Sequence, residues 1–376
     1  MKRISAIIFS LILLLSVISI DVYSVEKISV NAKAAVLYCV NNDTVIFEKN
    51  ANDRLSMAST TKIMTALLTL EQNSPERVVT VSKDAVSVEG TAMGLKPGDK
   101  VNYYSLVCGM LLSSGNDAAN VAAYSVSGNL SDFAVLMNKK AKEIGMRNTS
   151  FVTPSGLDAK NHFSTAYDMA LLGAYAINNP DFREICSAKS KSVSFGNPER
   201  EYTLYNHNRL LSSVDGVFGI KTGFTKKSGR CLVSACERNG ITLVCVTLND
   251  PDDWTDHKKL IEYGFENCIH LDDDFTEVGV KVVGSDKKYV DVKESNIPLA
   301  FNTQNEGITR LILTEQFVYA PVKKGQKIGT ALYYEDNGTL LCCVDLLSID
   351  SAEYVHIEKQ EKRKSIIETL KDFFRS

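Results

Sequence analysis

Ser59 and Lys62 are the residues whose types and spacing are best suited to chemistry, since they stand three positions apart. On a helix this spacing puts both side chains on one face. A serine hydroxyl is a poor nucleophile near neutral pH and needs a base within hydrogen-bond reach. Lys62 enters an apolar run over residues 63–70, where burial would disfavour its charged form. The pair predicts a serine nucleophile activated by lysine; the alternative is an N-cap serine followed by a solvated lysine.

A second motif, Ser114-Gly115-Asn116, lies between two apolar helical stretches. A polar turn at this place could aim a hydroxyl and an amide into a cleft. The alternative is an ordinary turn between helices, in which Asn116 or Asp117 caps the second helix.

A third motif, Lys221-Thr222-Gly223, precedes two apolar runs joined by an Asn-Gly turn, which predicts a β-hairpin over residues 231–246. We expect Lys221 on a strand beside the cleft, where its charge would help to lower the pKa of Lys62. Lys221 and Thr222 would offer a carboxylate a positive charge and a hydroxyl, and Gly223 would allow close backbone approach. The alternative is a loop joining two strands. In this order, the three motifs favour serine acyl transfer.

With these motifs the chain resembles the low-molecular-weight penicillin-binding proteins of the D-alanyl-D-alanine carboxypeptidase family. The resemblance extends to residues 112–120, 156–170 and 214–225 and covers about residues 30–265. It implies an α+β fold: a β-lactamase/transpeptidase-like domain with an antiparallel sheet flanked by helices, a small all-β domain, and a C-terminal amphipathic helix. Strands first, helices in the middle and strands last in the chain agree with such a sheet.

The resemblance implies roles for four residues of the first two motifs. Ser59 would be the acylated nucleophile, and Lys62 the base that takes its proton. Ser114 and Asn116 would relay protons and hold the substrate amide.

The third motif would bind the substrate. The resemblance implies that Lys221 and Thr222 bind its carboxylate beside Gly223, and that the backbone N–H groups of Ser59 and Phe224 form an oxyanion hole. Some family members place an arginine shortly after the hairpin to assist carboxylate recognition. This chain has no arginine in residues 249–258, so the groups that complete its carboxylate site are open.

The implied reaction is removal of the terminal D-alanine from peptidoglycan stem peptides, with β-lactams as covalent inhibitors of Ser59 and with no cofactor or metal. One alternative is a class A β-lactamase, which would need a Glu-containing deacylation loop after the second motif; residues 147–154 offer none. Another is a non-catalytic wall-binding protein on the same fold. Labelling with fluorescent penicillin would separate a catalytic from a non-catalytic protein.

Composition and charge narrow the class of protein. The chain has 376 residues, enough for two domains, and its net charge of −3 gives no reason to expect a nucleic-acid partner. The nine cysteines and five histidines show no metal-binding spacing. Most of the cysteines lie in apolar runs and are expected to be small buried side chains, and His162 is expected to be structural.

We predict four segments. Lys2 and Arg3 precede an uncharged run over residues 4–20, so residues 1–24 indicate a secretory signal peptide, with an uncleaved anchor as the alternative. Residues 25–268 would form the catalytic domain and residues 269–357 the small all-β domain.

The fourth segment, residues 358–376, would be an amphipathic helix lying on the membrane surface. Its apolar face would carry Ile366, Ile367, Leu370, Phe373 and Phe374, with lysine and arginine flanks. The implied location is the outer face of the cytoplasmic membrane or the cell wall. The alternative is a helix packed on a domain or a partner.

The spacing of apolar residues and the turn and capping residues also predict individual strands and helices. A hairpin is expected at residues 34–40 and 44–48, and the expected helices are at about 60–71, 104–112, 117–125, 131–144, 165–178 and 254–265.

Overall fold

The structure is a computed structural model that describes residues 28–271, 278–295, 299–301 and 307–355. The predicted signal peptide and the predicted C-terminal helix lie outside the described residues. Among the described residues, we find no helix with the length and apolar character needed to cross a membrane.

The described residues form an α+β fold. The strands are β1 (Ala34–Cys39), β2 (Thr44–Lys49), β3 (Val78–Thr80), β4 (Lys100–Asn102), β5 (Ser190–Gly196), β6 (Glu199–Tyr205), β7 (Val217–Thr225), β8 (Gly229–Arg238), β9 (Ile241–Leu248), β10 (Cys268–His270), β11 (Val278–Val283), β12 (Tyr289–Glu294), β13 (Leu299–Phe301), β14 (Ile308–Thr314), β15 (Phe317–Tyr319), β16 (Lys327–Glu335) and β17 (Leu340–Ser348). The helices are α1 (Lys62–Leu70), α2 (Lys83–Val86), α3 (Tyr103–Leu111), α4 (Asn116–Ser127), α5 (Leu130–Ile144), α6 (Ala166–Ala176), α7 (Pro180–Ser187) and α8 (Asp253–Glu266).

A five-stranded antiparallel sheet, in the order β2-β1-β9-β8-β7, is the centre of the catalytic part. All six residues of β1 are buried, because helices cover both faces of the sheet. Val36 and Tyr38 pack into the core beneath α1 and α6, whereas Leu37 and Cys39 pack into a second core with α8. The predicted antiparallel sheet flanked by helices is confirmed.

α1 is the central helix, and every one of its residues is buried. It packs against α3, α4 and α6, so an amine at its first position is enclosed by protein. The sequence predicted that one helix begins near Ser59. Instead, Ser59 lies in a short 3₁₀ helix (Ala58–Thr61), and α1 begins at Lys62. Ala58, the first residue of this short helix, has a φ of +48°, a left-handed conformation that a regular α-helix does not contain.

The other predicted helices agree with the structure to within a few residues, and two of their termini follow the expected chemistry. Thr165 caps α6 by accepting a hydrogen bond from the Asp168 amide at 3.0 Å. Gly145 ends α5 with a φ of +95°.

A second sheet, in the order β3-β4-β5-β6, lies outside the predicted elements. Six of the seven residues of β6 are exposed. Such a strand has no buried face, so its sequence carries no hydrophobic alternation by which to recognise it.

The tail forms a six-stranded sheet, in the order β14-β16-β17-β12-β11-β15, around a core of its own that includes Val290, Ala331 and Tyr333. A separate pairing connects it to the catalytic part. β13 pairs with β10, and the fully buried Leu299 packs in the second core with Leu37.

Candidate active site

Lys62 and Ser59 meet as the spacing predicts, although α1 begins only at Lys62. Lys62 Nζ lies 2.9 Å from Ser59 Oγ, 2.7 Å from Asn116 Oδ1 and 2.6 Å from the Ser155 carbonyl oxygen. The last two atoms can only accept hydrogen bonds. A neutral amine has two N–H groups and one lone pair. If Lys62 is neutral, it donates to Asn116 and Ser155, and its lone pair is left to accept the Ser59 hydroxyl proton.

The orientation of the Asn116 amide is fixed by a second partner. Its Nδ2 donates to the Glu89 carbonyl oxygen at 2.7 Å, and a carbonyl cannot donate in return. The oxygen of the amide must therefore face Lys62. Asn116 connects Lys62 to the segment before α4.

Burial holds the pKa of Lys62 well below the ordinary value for lysine. The side chain has no exposed surface, so its charged form loses its hydration. The charge of Lys221 lowers this pKa further, while the carboxylate of Asp117 opposes the shift. The electrostatics thus favour the neutral amine that proton transfer from Ser59 requires.

The second motif is a turn with an unusual backbone. Ser114 is 8% exposed and has a φ of +59°, a left-handed conformation that costs a non-glycine residue free energy. Asn116 is the first residue of α4, and Gly115 takes the N-cap position, so neither alternative cap residue occupies that position. The turn places the Ser114 side chain at the same cavity as Ser59.

Asp117 holds the segment beside this turn, a role that the sequence did not reveal. Its carboxylate accepts hydrogen bonds from the backbone N–H groups of Met93, Gly94 and Leu95, at 2.8 to 3.0 Å. An aspartate inside an apolar helical run was the available signal, since a buried carboxylate needs partners.

The third motif lies on β7, an edge strand of the central sheet. Lys221 is 1% exposed, and its Nζ donates to the Thr222 carbonyl oxygen at 2.8 Å. Burial lowers the pKa of Lys221 to about 7. The third motif therefore supplies an amine whose charge varies near neutral pH.

Gly223 brings β7 against the segment that contains Ser59. A Cβ at this position would lie 3.0 Å from Ser59 N and 3.1 Å from both Met57 O and Thr60 N. Side chains larger than hydrogen would push the strand and the Ser59 segment apart, which explains the need for glycine.

We expect Gly223→Ala to slow acylation by penicillin by about tenfold or more, because small displacements at a reacting centre are costly. Gly279→Ala is the matched control, since a Cβ there meets its nearest neighbour, Asp291 Oδ1, at an ordinary 3.4 Å. Stopped-flow acylation kinetics measure both variants. Unchanged kinetics for Gly223→Ala would show that the strand can move without disturbing Ser59.

These elements enclose a cavity of about 480 Å³. It is lined by Ser59, Thr91, Ser114, His207, Arg209, Thr222, Gly223, Phe224, Arg230, Asp253 and Trp254. Five of the eight predicted site residues are in this lining. The other three, Lys62, Asn116 and Lys221, are buried, and Lys62 is hydrogen-bonded to both Ser59 and Asn116.

The sequence did not indicate four residues of the cavity lining: Arg209, Arg230, Asp253 and Trp254. Arg209 and Arg230 come from outside residues 249–258, where an arginine was sought. Only the antiparallel pairing of β7 with β8 brings Arg230 back beside the third motif.

His162 is structural, as predicted. Burial lowers its pKa to about 4, so the ring is neutral. Its Nδ1 accepts the Val152 N–H at 2.9 Å, and its Nε2 therefore donates to Thr61 Oγ1 at 3.0 Å. All nine cysteines are free thiols, and seven of them are buried.

The chain is similar to known proteins over most of its length. A family described as D-alanyl-D-alanine carboxypeptidase matches residues 21–252. The D-alanyl-D-alanine carboxypeptidase DacF of Bacillus subtilis is 30% identical over 330 residues, which cover 84% of each chain. DacC of Escherichia coli is 34% identical over 351 residues, covering 88% of this chain and 86% of that protein.

A solved structure is similar as well. The crystal structure of penicillin binding protein 5 from Haemophilus influenzae superposes with a TM-score of 0.70 at 27% identity. The match covers 87% of this chain and 98% of that one. The chain described here belongs to the D-alanyl-D-alanine carboxypeptidase family.

Proposed function

We propose that this chain is a serine-type carboxypeptidase that removes the terminal D-alanine from peptidoglycan stem peptides through an acyl-enzyme on Ser59. The observation that carries the proposal is the set of three partners around Lys62 Nζ. Two are obligate acceptors, so a neutral Lys62 has its lone pair left for the proton of Ser59.

The reaction would have two halves. In the first, Ser59 Oγ bonds to the carbonyl carbon of the penultimate D-alanine while its proton passes to Lys62 Nζ. The C–N bond then breaks, and the leaving amine takes a proton carried by Lys62 and Ser114. In the second half, water cleaves the ester and restores the Ser59 hydroxyl.

Backbone donors would stabilise the charge that develops on the carbonyl oxygen. The N–H groups of Ser59 and Phe224 are the proposed oxyanion hole. Gly223 precedes Phe224 and packs against Ser59 N, so β7 is held beside the nucleophile. Lys221 and Thr222 would bind the terminal carboxylate, and a β-lactam would acylate Ser59 in the same way.

The alternative of a class A β-lactamase receives no support from the segment that faces Lys62. This segment presents the Ser155 carbonyl oxygen to Nζ, where a deacylating enzyme would need a glutamate. Within the described residues, the hydrogen-bond partners of Nζ include no carboxylate. We expect the acyl-enzyme formed with penicillin to be long-lived.

Two measurements test the proposal. Mass spectrometry of muropeptides before and after incubation should show loss of one D-alanine from pentapeptide stems. Fluorescent penicillin should label the purified protein, whereas a non-catalytic wall-binding protein would take no label. Labelling without D-alanine release would restrict the chain to penicillin binding and contradict the proposed reaction.

We also propose that residues 1–24 direct export and that residues 358–376 hold the protein on the outer surface of the membrane. Basic residues before an uncharged run support the first segment, and the apolar face of the second supports surface binding. N-terminal sequencing of the exported protein should begin at Val25. Retention of Met1 would contradict cleavage.

Deleting residues 358–376 should move the mature protein from the membrane to the soluble fraction while penicillin acylation stays unchanged. The physical reason is loss of the side chains that would insert at the interface. Fractionation followed by penicillin labelling measures both properties. Persistent membrane association after confirmed signal cleavage would count against the helix as the anchor.

We propose that residues 269–357 are a separate β domain that the chemistry does not need. A chain that ends at Cys268 should still be acylated by penicillin, but it loses the Leu299 side chain from the second core. We therefore expect a stability loss of about 2 kcal/mol, the value for burying one leucine. Urea unfolding should give this loss for full-length Leu299→Ala and a larger one for the truncated chain, which also loses the pairing of β10 with β13. A folded truncated chain without acylation would place part of the site in the tail.

A further inference from the structure

Arg230 lies on the same face of the central sheet as Thr222. In the register of β7 and β8, Thr222 pairs with Leu232, and Phe224 pairs with Arg230. Residues two apart on a strand share a face. Diagonal neighbours are roughly 7–8 Å apart, which a long side chain can span. Thr222 and Arg230 both line the cavity that contains Ser59.

The guanidinium of Arg230 is held in place from one side. Its Nε and Nη2 donate to Asp253 Oδ1 at 2.9 and 2.5 Å, and its Cζ lies 5.4 Å from the centroid of the Trp254 ring. Asp253 has a side chain that is 4% exposed, whereas that of Arg230 is 41% exposed. Arginine has five N–H donors, so about three remain for a ligand in the cavity. A planar, fixed donor of this kind suits a carboxylate.

The charge of Arg230 complements that of Lys221. Burial lowers the pKa of Lys221 to about 7, so this lysine loses charge as the pH rises above neutrality. A guanidinium stays charged throughout this range. Carboxylate binding at and above neutral pH therefore needs a cation besides Lys221, and Arg230 is the one that other side chains fix beside Thr222.

We propose that Arg230, together with Thr222, binds the C-terminal carboxylate of the substrate, and that Asp253 and Trp254 are positioning residues that hold its guanidinium. The inference rests on the proposed carboxypeptidase function. It also accounts for residues 249–258: this segment lacks the expected arginine but supplies the carboxylate and the ring that orient an arginine from β8.

The test compares two pairs of substrates in the full-length protein. Each pair differs only at the carboxylate: a D-Ala-D-Ala peptide and its C-terminal amide, and benzylpenicillin and its methyl ester. Arg230→Gln should lower kcat/KM for the carboxylate compounds by about 10- to 100-fold, the effect of one hydrogen bond to a charged group. The amide and the ester should change by less than about threefold, since neither carries the charge that Arg230 recognises.

Arg238→Gln is the matched control. Arg238 lies on the same strand, donates to Glu262 of the same helix at 2.7 and 2.8 Å, and lies 4.7 Å from the Phe265 ring. It therefore makes the same kind of strand-to-helix contact away from the cavity lining. Its loss should leave the preference for carboxylate compounds at the wild-type value.

Two further variants keep the test decisive. Arg230→Lys keeps a charge but loses the planar donor, and it should lose part of the carboxylate preference even if Arg230→Gln fails to fold. Asp253→Asn should give a smaller loss with the same selectivity. An equal loss for carboxylate and neutral compounds, or an unchanged preference, would overturn the assignment. D-alanine release by the wild-type protein tests the proposed function separately.

Discussion

Replacing Ser59 with alanine is expected to abolish both D-alanine release and covalent labelling by penicillin. The hydroxyl is the only atom of this side chain that can form the acyl bond, and Lys62 has no other acyl acceptor hydrogen-bonded to its amine among the described residues. Loss of a nucleophile typically costs about 10⁴-fold or more in rate. Intact-mass measurement of the penicilloyl adduct, followed by peptide mapping, measures the effect.

Ser56→Ala is the control for this variant. Ser56 stands three positions before Ser59, is half-buried, and lines a neighbouring cavity that does not include Ser59. Penicillin should label the Ser56→Ala variant at the wild-type rate. An adduct that maps to Ser113, Ser114 or any residue other than Ser59 would contradict the proposed site.

The parts of the site that could be predicted from sequence depend on short-range order. The Ser59–Lys62 spacing survives the replacement of a helical turn by a 3₁₀ turn, because both put the two side chains on one side. The helix termini at Thr165 and Gly145 follow from local capping chemistry. β8 and β9 follow from the turn between them.

The parts that could not be predicted depend on strand register or on contacts between distant segments. Arg230 is eight residues from Thr222 in sequence, and only the register of β7 with β8 makes the two residues diagonal neighbours. The contact of Asp117 with Met93 spans 24 residues, and no local pattern encodes it. The left-handed backbone of Ser114 is likewise held by tertiary structure, because serine alone does not favour it.

The boundary between the catalytic part and the tail shows the same difference between local patterns and long-range contacts. The sequence predicts an all-β tail after residue 268, and the first strand of the six-stranded tail sheet, β11, starts at Val278. The pairing of β10 with β13 joins residues about 30 positions apart, and Leu299 packs with Leu37 from the start of the chain, so no local pattern predicts either contact. A boundary drawn at Cys268 therefore cuts a core side chain away from the catalytic part.

A loss nearly as large as that for Ser59→Ala is expected for Lys62→Met. Methionine fills most of the same volume but has no basic amine to take the Ser59 proton, while Asn116 and Ser155 lose their shared donor. General base catalysis typically contributes about 10²–10⁴-fold, and the acylation rate should fall by that amount. Thermal unfolding of the variant, measured alongside, shows whether the fold is retained.

The pH dependence of acylation separates a base from a merely positive group at this position. The wild-type rate should rise as the pH passes through the pKa of Lys62, since only the neutral amine accepts a proton, and burial places this rise well below the ordinary pKa of lysine. Lys62→Met should lose the rising limb. Lys62→Arg keeps a charge and donors but cannot deprotonate, so it should be as slow as the methionine variant. If the arginine variant were acylated at the wild-type rate, Lys62 would act through its charge, and the proton of Ser59 would have to go elsewhere.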